Sequence, residues 1–203
     1  MGISERKKRA KEGMKELIRA AALKMFLEDG YAKTSIRNIA DAIEYSPGTI
    51  YLYYKDKDEL LYEVQAFCYG QLLEAFRKEA KSKDPLKKLY QICKTYINFG
   101  FDNPEFYDLM FIIRAPTNVD EEVHKANGGE CLNYIKNCLE DCINKDLLRT
   151  QDVELAILQI WSTVHGLVSL DLRCRLKEMI GKDETMQEKL IRTIENYLKS
   201  ITT

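Results

Sequence analysis

Ser46-Pro47-Gly48-Thr49-Ile50-Tyr51-Leu52-Tyr53-Tyr54, preceded by Thr34-Ser35-Ile36-Arg37-Asn38-Ile39-Ala40 and followed by Asp56-Lys57-Asp58-Glu59-Leu60, is the stretch on which the fold turns. Thr34 or Ser35 can cap a helix over 36–43 whose apolar face is Ile36, Ile39, Ala40 and Ile43. Ser46-Pro47 starts a second helix, with Ser46 as N-cap and proline at the first helical position, where its missing N–H costs nothing. That helix is expected to end near Tyr54. Asp56 with Glu59 three residues on has the form of a capping box and opens a longer helix to about Ser82. Helix, tight turn at Glu44-Tyr45, helix is the order of a helix-turn-helix, in which one helix braces across a DNA backbone and the next enters the major groove.

Outward from this core, apolar residues recur at helical spacing from Met14 through Leu17, Ile18, Ala21, Ala22, Met25 and Phe26. Gly30 supplies a stop, with Tyr31 placed to fold back on the helix end. Downstream, helices are expected over 85–99, 105–114, 121–146, 151–179 and 184–201, and the whole chain reads as all-α. Two domains follow: residues 1–61 as a helix-turn-helix module, joined through a long helix to a regulatory part, residues 62–203. The helix from Gln151 is apolar nearly all round in its first half, which calls for core on one side and a partner subunit on the other. The stripe Leu190, Ile194, Tyr197, Leu198, Ile201 on the last helix is of coiled-coil width, so these two helices are expected to pair with their symmetry mates in a homodimer.

The net charge of −1 argues against wholesale coating of nucleic acid. Its distribution is uneven, however. Ten basic residues between Met1 and Arg37 face five acidic ones, so only the front is expected to meet a polyanion. No apolar run reaches the roughly 18 residues of a membrane span, and the charged start lacks the apolar core of a secretory signal. A cytoplasmic protein with reduced cysteines is therefore expected. Of the cysteines, Cys138 and Cys142 share a helix face at a spacing of four, which leaves open a thiol- or metal-responsive regulator as the alternative function. No C-x-x-C pair, phosphate loop, G-x-S-x-G or H-E-x-x-H occurs, and an enzyme, a cofactor or a dedicated metal site is not expected.

The run from Thr34 to Leu60 resembles the N-terminal module of the TetR family of regulators, over roughly residues 14–61. The resemblance implies DNA-backbone roles for Ser35, Gly48, Thr49, Tyr51, Tyr53 and Lys57, with Ser46 at the start of the reading helix, and base-edge roles for Arg37, Pro47 and Leu52. Two departures stand out: Glu44-Tyr45 where the family usually has glycine then valine, and Tyr54 where phenylalanine is commoner. Asn103-Pro104-Glu105-Phe106-Tyr107-Asp108-Leu109-Met110-Phe111 and Trp161-Ser162-Thr163-Val164-His165-Gly166 resemble the regulatory domain of a TetR subgroup named for its Trp-His-Gly signature. That implies repression from double-stranded operator DNA, release by a small-molecule effector, and a cavity; Phe99, Phe106, Met110, Phe111, Tyr134, Trp161 and His165 are the residues that could line it.

Overall fold

The computed structural model describes residues 2–113, 128–177 and 184–203, and the chain forms two compact units. The first is Met1–Cys68 with the segment that begins at Asp108; the second is Tyr69–Tyr107 and Gly128–Thr203. Among the described residues the structure is helical apart from one isolated antiparallel bridge, Leu148 to Thr202. The helices are α1 (Ile3–Glu28), α2 (Ile36–Ala42), α3 (Pro47–Tyr51), α4 (Lys57–Glu79), α5 (Pro85–Asp102), α6 (Pro104–Phe111), α7 (Gly129–Ile143), α8 (Val153–Leu172) and α9 (Met186–Ile201). The boundary between units falls inside α4, at Cys68 and Tyr69.

In the first unit, α1 ends where the Asp29 N–H reaches the Met25 carbonyl, and Gly30 turns the chain at φ 84°. Tyr31 folds back edge-on against Phe26, ring centroids 5.2 Å apart. Ser35, not Thr34, caps α2: its Oγ accepts the Asn38 N–H at 3.1 Å. Thr34 is buried and closes α1 instead, its hydroxyl donating to the Gly30 and Met25 carbonyls at 3.0 and 3.3 Å. Ile18, Ala22 and Phe26 of α1 bury with Ile36, Ile39 and Ala40 of α2, Ile50 of α3, and Leu60, Leu61 and Val64 of α4.

The second unit is built around α5, which packs with α7, α8 and α9. Asp84 caps α5 by accepting the Lys87 N–H at 2.9 Å, with Pro85 in the first turn. α5 and α8 approach closely at Gly100, where a Cβ would lie 2.6 Å from Val168 Cγ1. The helix expected over 121–146 begins at Gly129 and ends at Ile143, residues 121–127 lying outside the described residues. α8 ends at Leu172 rather than near Met179, which also lies outside them.

Most of the stripe expected on the last helix to form a subunit interface is core in the single chain, while Tyr197 and Ile201 stay half-exposed. Leu190, Ile194 and Leu198 are 3%, 0% and 7% exposed in the single chain, because α9 turns this face to α5 and α8. α8, conversely, buries only Ala156, Ile160, Val164 and Val168, and leaves Leu155, Leu158 and Leu170 open on its opposite side. By length and composition α8 could cross a membrane.

Candidate nucleic-acid interface and regulatory site

The predicted contact residues of the first unit are all exposed or half-exposed, whereas their neighbours Ile50 and Tyr54 are buried. Ser46 caps α3, its Oγ accepting the Thr49 N–H at 3.2 Å and sharing a hydrogen bond with the Thr49 hydroxyl at 3.1 Å. α3 is five residues long and ends at Tyr51, three residues short of the expected end, because the chain closes into a tighter turn through Leu52 and Tyr53. Tyr51 and Leu52 are left 56% and 79% exposed, the latter unusually open for a leucine. Gly48 has nothing but Ser46 Oγ, at an ordinary 3.6 Å, near the position of a Cβ. The fold therefore does not itself need glycine there.

The turn between α2 and α3 keeps helix-turn-helix form despite its two departures from the family pattern. Glu44 takes φ 60°, the left-handed conformation for which glycine is favoured. The Tyr45 N–H reaches back to the Ala40 carbonyl at 3.0 Å, a Schellman closure. Tyr54 is 2% exposed, and its hydroxyl has no hydrogen-bond partner among the described residues. Burial first, then the negative Glu63, push this phenol well above the usual tyrosine range.

Lys57 holds a place the sequence did not reveal. Its ammonium donates to the Tyr31 and Thr34 carbonyls, both at 3.0 Å, and sits 4.1 Å from the Tyr31 ring centroid. Tyr31 in turn donates to the Asp58 carboxylate. Lys57 thus pins the α1–α2 turn to the start of α4, with two of its three N–H donors engaged there.

In the second unit His165 is half-buried in a polar knot. The hydroxyls of Tyr107 and Tyr96 lie 2.6 and 3.0 Å from its Nδ1, and the Tyr107 hydroxyl lies within 3.1 Å of the His165 carbonyl as a donor. Tyr107 also stacks on the imidazole, centroids 5.4 Å apart. Desolvation, with the positive Arg173 second, holds His165 below the usual histidine range. Tyr96, Tyr107 and His165 form one connected group, and Tyr96 also lines an apolar slot with Trp161. Tyr96 and Tyr107 were absent from the sequence-predicted set. The clue available was the histidine itself, since a buried imidazole needs hydrogen-bond partners.

Phe99 and Trp161, two of the seven candidate ligand residues, line different cavities. Met110 and Phe111 belong to the first unit, the other five to the second. Trp161 lines an apolar slot of ≈ 20 Å³ with Phe76, Ile92, Tyr96, Ile157 and Ile160. Phe99 lines a separate polar groove of ≈ 410 Å³ with Lys78, Gln91, Lys94 and Asn98. Tyr134 is packing, stacked on Phe76 at 6.0 Å with its hydroxyl on the Ala80 carbonyl at 3.3 Å; Phe106 is half-buried on α6. Cys138 and Cys142 are both fully buried, and no cluster of metal-ligating side chains occurs among the described residues. Cys138 donates its thiol to the Pro85 carbonyl at 3.6 Å, and Cys142 beside it, together with burial, pushes it above the usual cysteine range.

Comparison with known proteins matches residues 18–64 to bacterial regulatory proteins of the tetR family and residues 89–194 to the tetracyclin repressor-like C-terminal domain. The chain is similar to the fatty acid metabolism regulator protein of Bacillus subtilis (strain 168), 24% identical over 87% of this chain and 93% of that protein. It is also 26% identical to an uncharacterized HTH-type transcriptional regulator of Haemophilus influenzae, over 66% and 67% of the two chains. Among solved structures, the fatty acid degradation regulator FadR of Bacillus halodurans superposes with a TM-score of 0.68 at 20% identity, covering 91% of this chain and 93% of that one. A TetR family transcription regulator of Marinobacter aquaeolei VT8 does so with a TM-score of 0.68 at 19% identity, covering 97% and 98%.

Proposed function

The chain belongs to the TetR family and is a DNA-binding transcriptional regulator rather than an enzyme, and from that premise we propose that it represses from a palindromic operator and is released by a small apolar effector. The observation that carries the DNA contact is Gly48, whose missing side chain the fold has room for. Beside it stand the exposed Tyr51 and Leu52, with Arg37 on the neighbouring helix. Hydroxyls and backbone at Ser35, Ser46, Thr49 and Tyr53 set register on phosphates, and Arg37, Pro47 and Leu52 face bases. Gly48→Ala is expected to fold with unchanged stability and to lose affinity for every duplex at least tenfold. Normal binding by this variant would move the contact elsewhere.

The dimer forms on the open side of α8. Leu155, Leu158, Ser162, Gly166 and Leu170 share that side, and a Cβ on Gly166 would touch nothing among the described residues, which leaves room for a partner helix to approach there. The effector enters at the slot under Trp161. At ≈ 20 Å³ the slot must open to admit it, and its lining favours an aliphatic chain, in keeping with relatives named for fatty acid metabolism. Assignment to the Trp-His-Gly subgroup rests on Trp161 and His165, one turn apart on α8, with Gly166 alongside. The protein works where the DNA is, in the cytoplasm, with no membrane partner. Titration with saturated fatty acids of increasing length, followed by the emission of the sole tryptophan, tests the site. Quenching or enhancement that strengthens with chain length supports it, and an unchanged signal with an acid that releases DNA sinks it.

A further inference from the structure

α1 begins at Ile3, yet its first buried residue is Ile18 and the family match also starts at residue 18. Residues 4–13 are exposed throughout. At about 1.5 Å per residue, this makes an exposed helical arm roughly 15 Å long. It carries Arg6, Lys7, Lys8, Arg9 and Lys11 against Glu5 and Glu12. Glu5 is spent on the helix end, where it accepts the Gly2 N–H at 3.2 Å, and Glu12 faces Lys8 at 4.0 Å. Lys7 and Lys11 have no ion pair among the described residues.

Lys7, Lys11 and Lys15 follow one another at intervals of four, with Lys8 beside them, so the lysines occupy one helix face. This is the wrong pattern for a helix that serves only itself. Like charges four apart repel, and cations in the first turns oppose the helix dipole. An external polyanion reverses the sign of both terms. The stripe also has a direction: Lys15 Nζ lies 5.4 Å from the centroid of Tyr54, the residue that closes the turn after α3. From there the lysines lead away from the reading helix along α1.

We propose that the lysine face of residues 3–15 is a second DNA-contacting element, which grips the phosphates flanking each half-site and lengthens the footprint beyond the helix-turn-helix. The proposal rests on the DNA-binding reading above. A membrane surface fits less well, because the arm lacks the apolar face that interfacial helices insert. The contact is with phosphates and carries no sequence information.

The test is the full-length dimer carrying Lys7→Gln, Lys8→Gln and Lys11→Gln together, measured on a palindrome selected by the unaltered protein. Each phosphate contact contributes about 0.9 to the slope of log K against log salt. The triple variant should therefore show a slope shallower by about 2–5 per dimer, and lose hydroxyl-radical protection outside the palindrome. Its helical circular dichroism should be retained or increased, since repulsion has been removed. A smaller change in slope, or protection that does not retreat, overturns the arm. So does unchanged DNA behaviour joined to loss of binding to phosphatidylserine vesicles, which would assign the stripe to a membrane. Failure of the unaltered protein to select any duplex would instead refute the DNA-binding reading itself.

Discussion

Leu158→Glu should dissociate the dimer while leaving each chain folded. Leu158 lies on the open side of α8 and is 63% exposed in the single chain. Full burial of a leucine side chain contributes about 1.5–3 kcal/mol. The share left for a partner to cover then corresponds to about 1–2 kcal/mol per protomer, or about 2–4 kcal/mol across a two-fold interface. At about 1.4 kcal/mol per decade, the dimer weakens by roughly thirty- to several-hundred-fold, before any cost of bringing two carboxylates together. Sedimentation equilibrium over a concentration series reads this directly, with helical circular dichroism as the check on folding. Ile194→Glu is the contrasting change: Ile194 is 0% exposed inside its own chain, so a charge there should unfold the second unit rather than split a dimer. A Leu158→Glu protein that dimerises as before, or an Ile194→Glu protein that stays helical but monomeric, would place the interface on α9 and refute the assignment.

Other expectations follow from single groups. Tyr54→Phe removes a buried hydroxyl that has no partner, and should raise stability by about 1 kcal/mol in urea unfolding; a loss would mean the hydroxyl is satisfied after all. Glu44→Gly relieves a left-handed glutamate, whose cost of about 1–2 kcal/mol exceeds the extra freedom glycine gives the unfolded chain. It should therefore stabilise, whereas Glu44→Val should destabilise, and the reverse order would deny the strain. His165 is held below its ordinary value of 6.5, so below that pH the unfolded chain takes up a proton that the folded one resists. The melting temperature should accordingly fall as pH drops from about 6.5 toward the depressed folded value, and the fall should be smaller in His165→Gln. An identical pH dependence in that variant would exonerate the histidine.

The helix starts and stops of the first unit were legible because each is written in local chemistry. Gly30, Ser35 and the pairs Ser46-Pro47 and Asp56-Glu59 terminate or cap within a few residues of where the backbone does so. The start of α1 was not legible, since an arm that buries nothing shows no apolar period, and periodicity begins only at Met14. The face of α9 misled for the opposite reason: an amphipathic stripe records that something covers it, not whether the cover is the same chain or another. Lys57 is a matter of distance in sequence, because the carbonyls it holds belong to Tyr31 and Thr34. The knot around His165 likewise joins α5, α6 and α8, which no local pattern connects. The aromatic residues chosen for a cavity were those of the right type, but type alone did not separate Tyr134, satisfied in packing, from Trp161 at the slot.

The central claim, that a two-fold dimer reads DNA through α3, is tested most directly by selecting from a random duplex library with the full-length protein and repeating the selection with Gly48→Ala. The account predicts that the unaltered protein enriches an inverted repeat whose half-site centres lie about one helical turn, roughly 34–36 Å, or a multiple of it apart, bound by one or more dimers with steep salt dependence. It predicts no enrichment with the variant. Enrichment of a non-palindromic site, or of the same palindrome by both proteins, would contradict it.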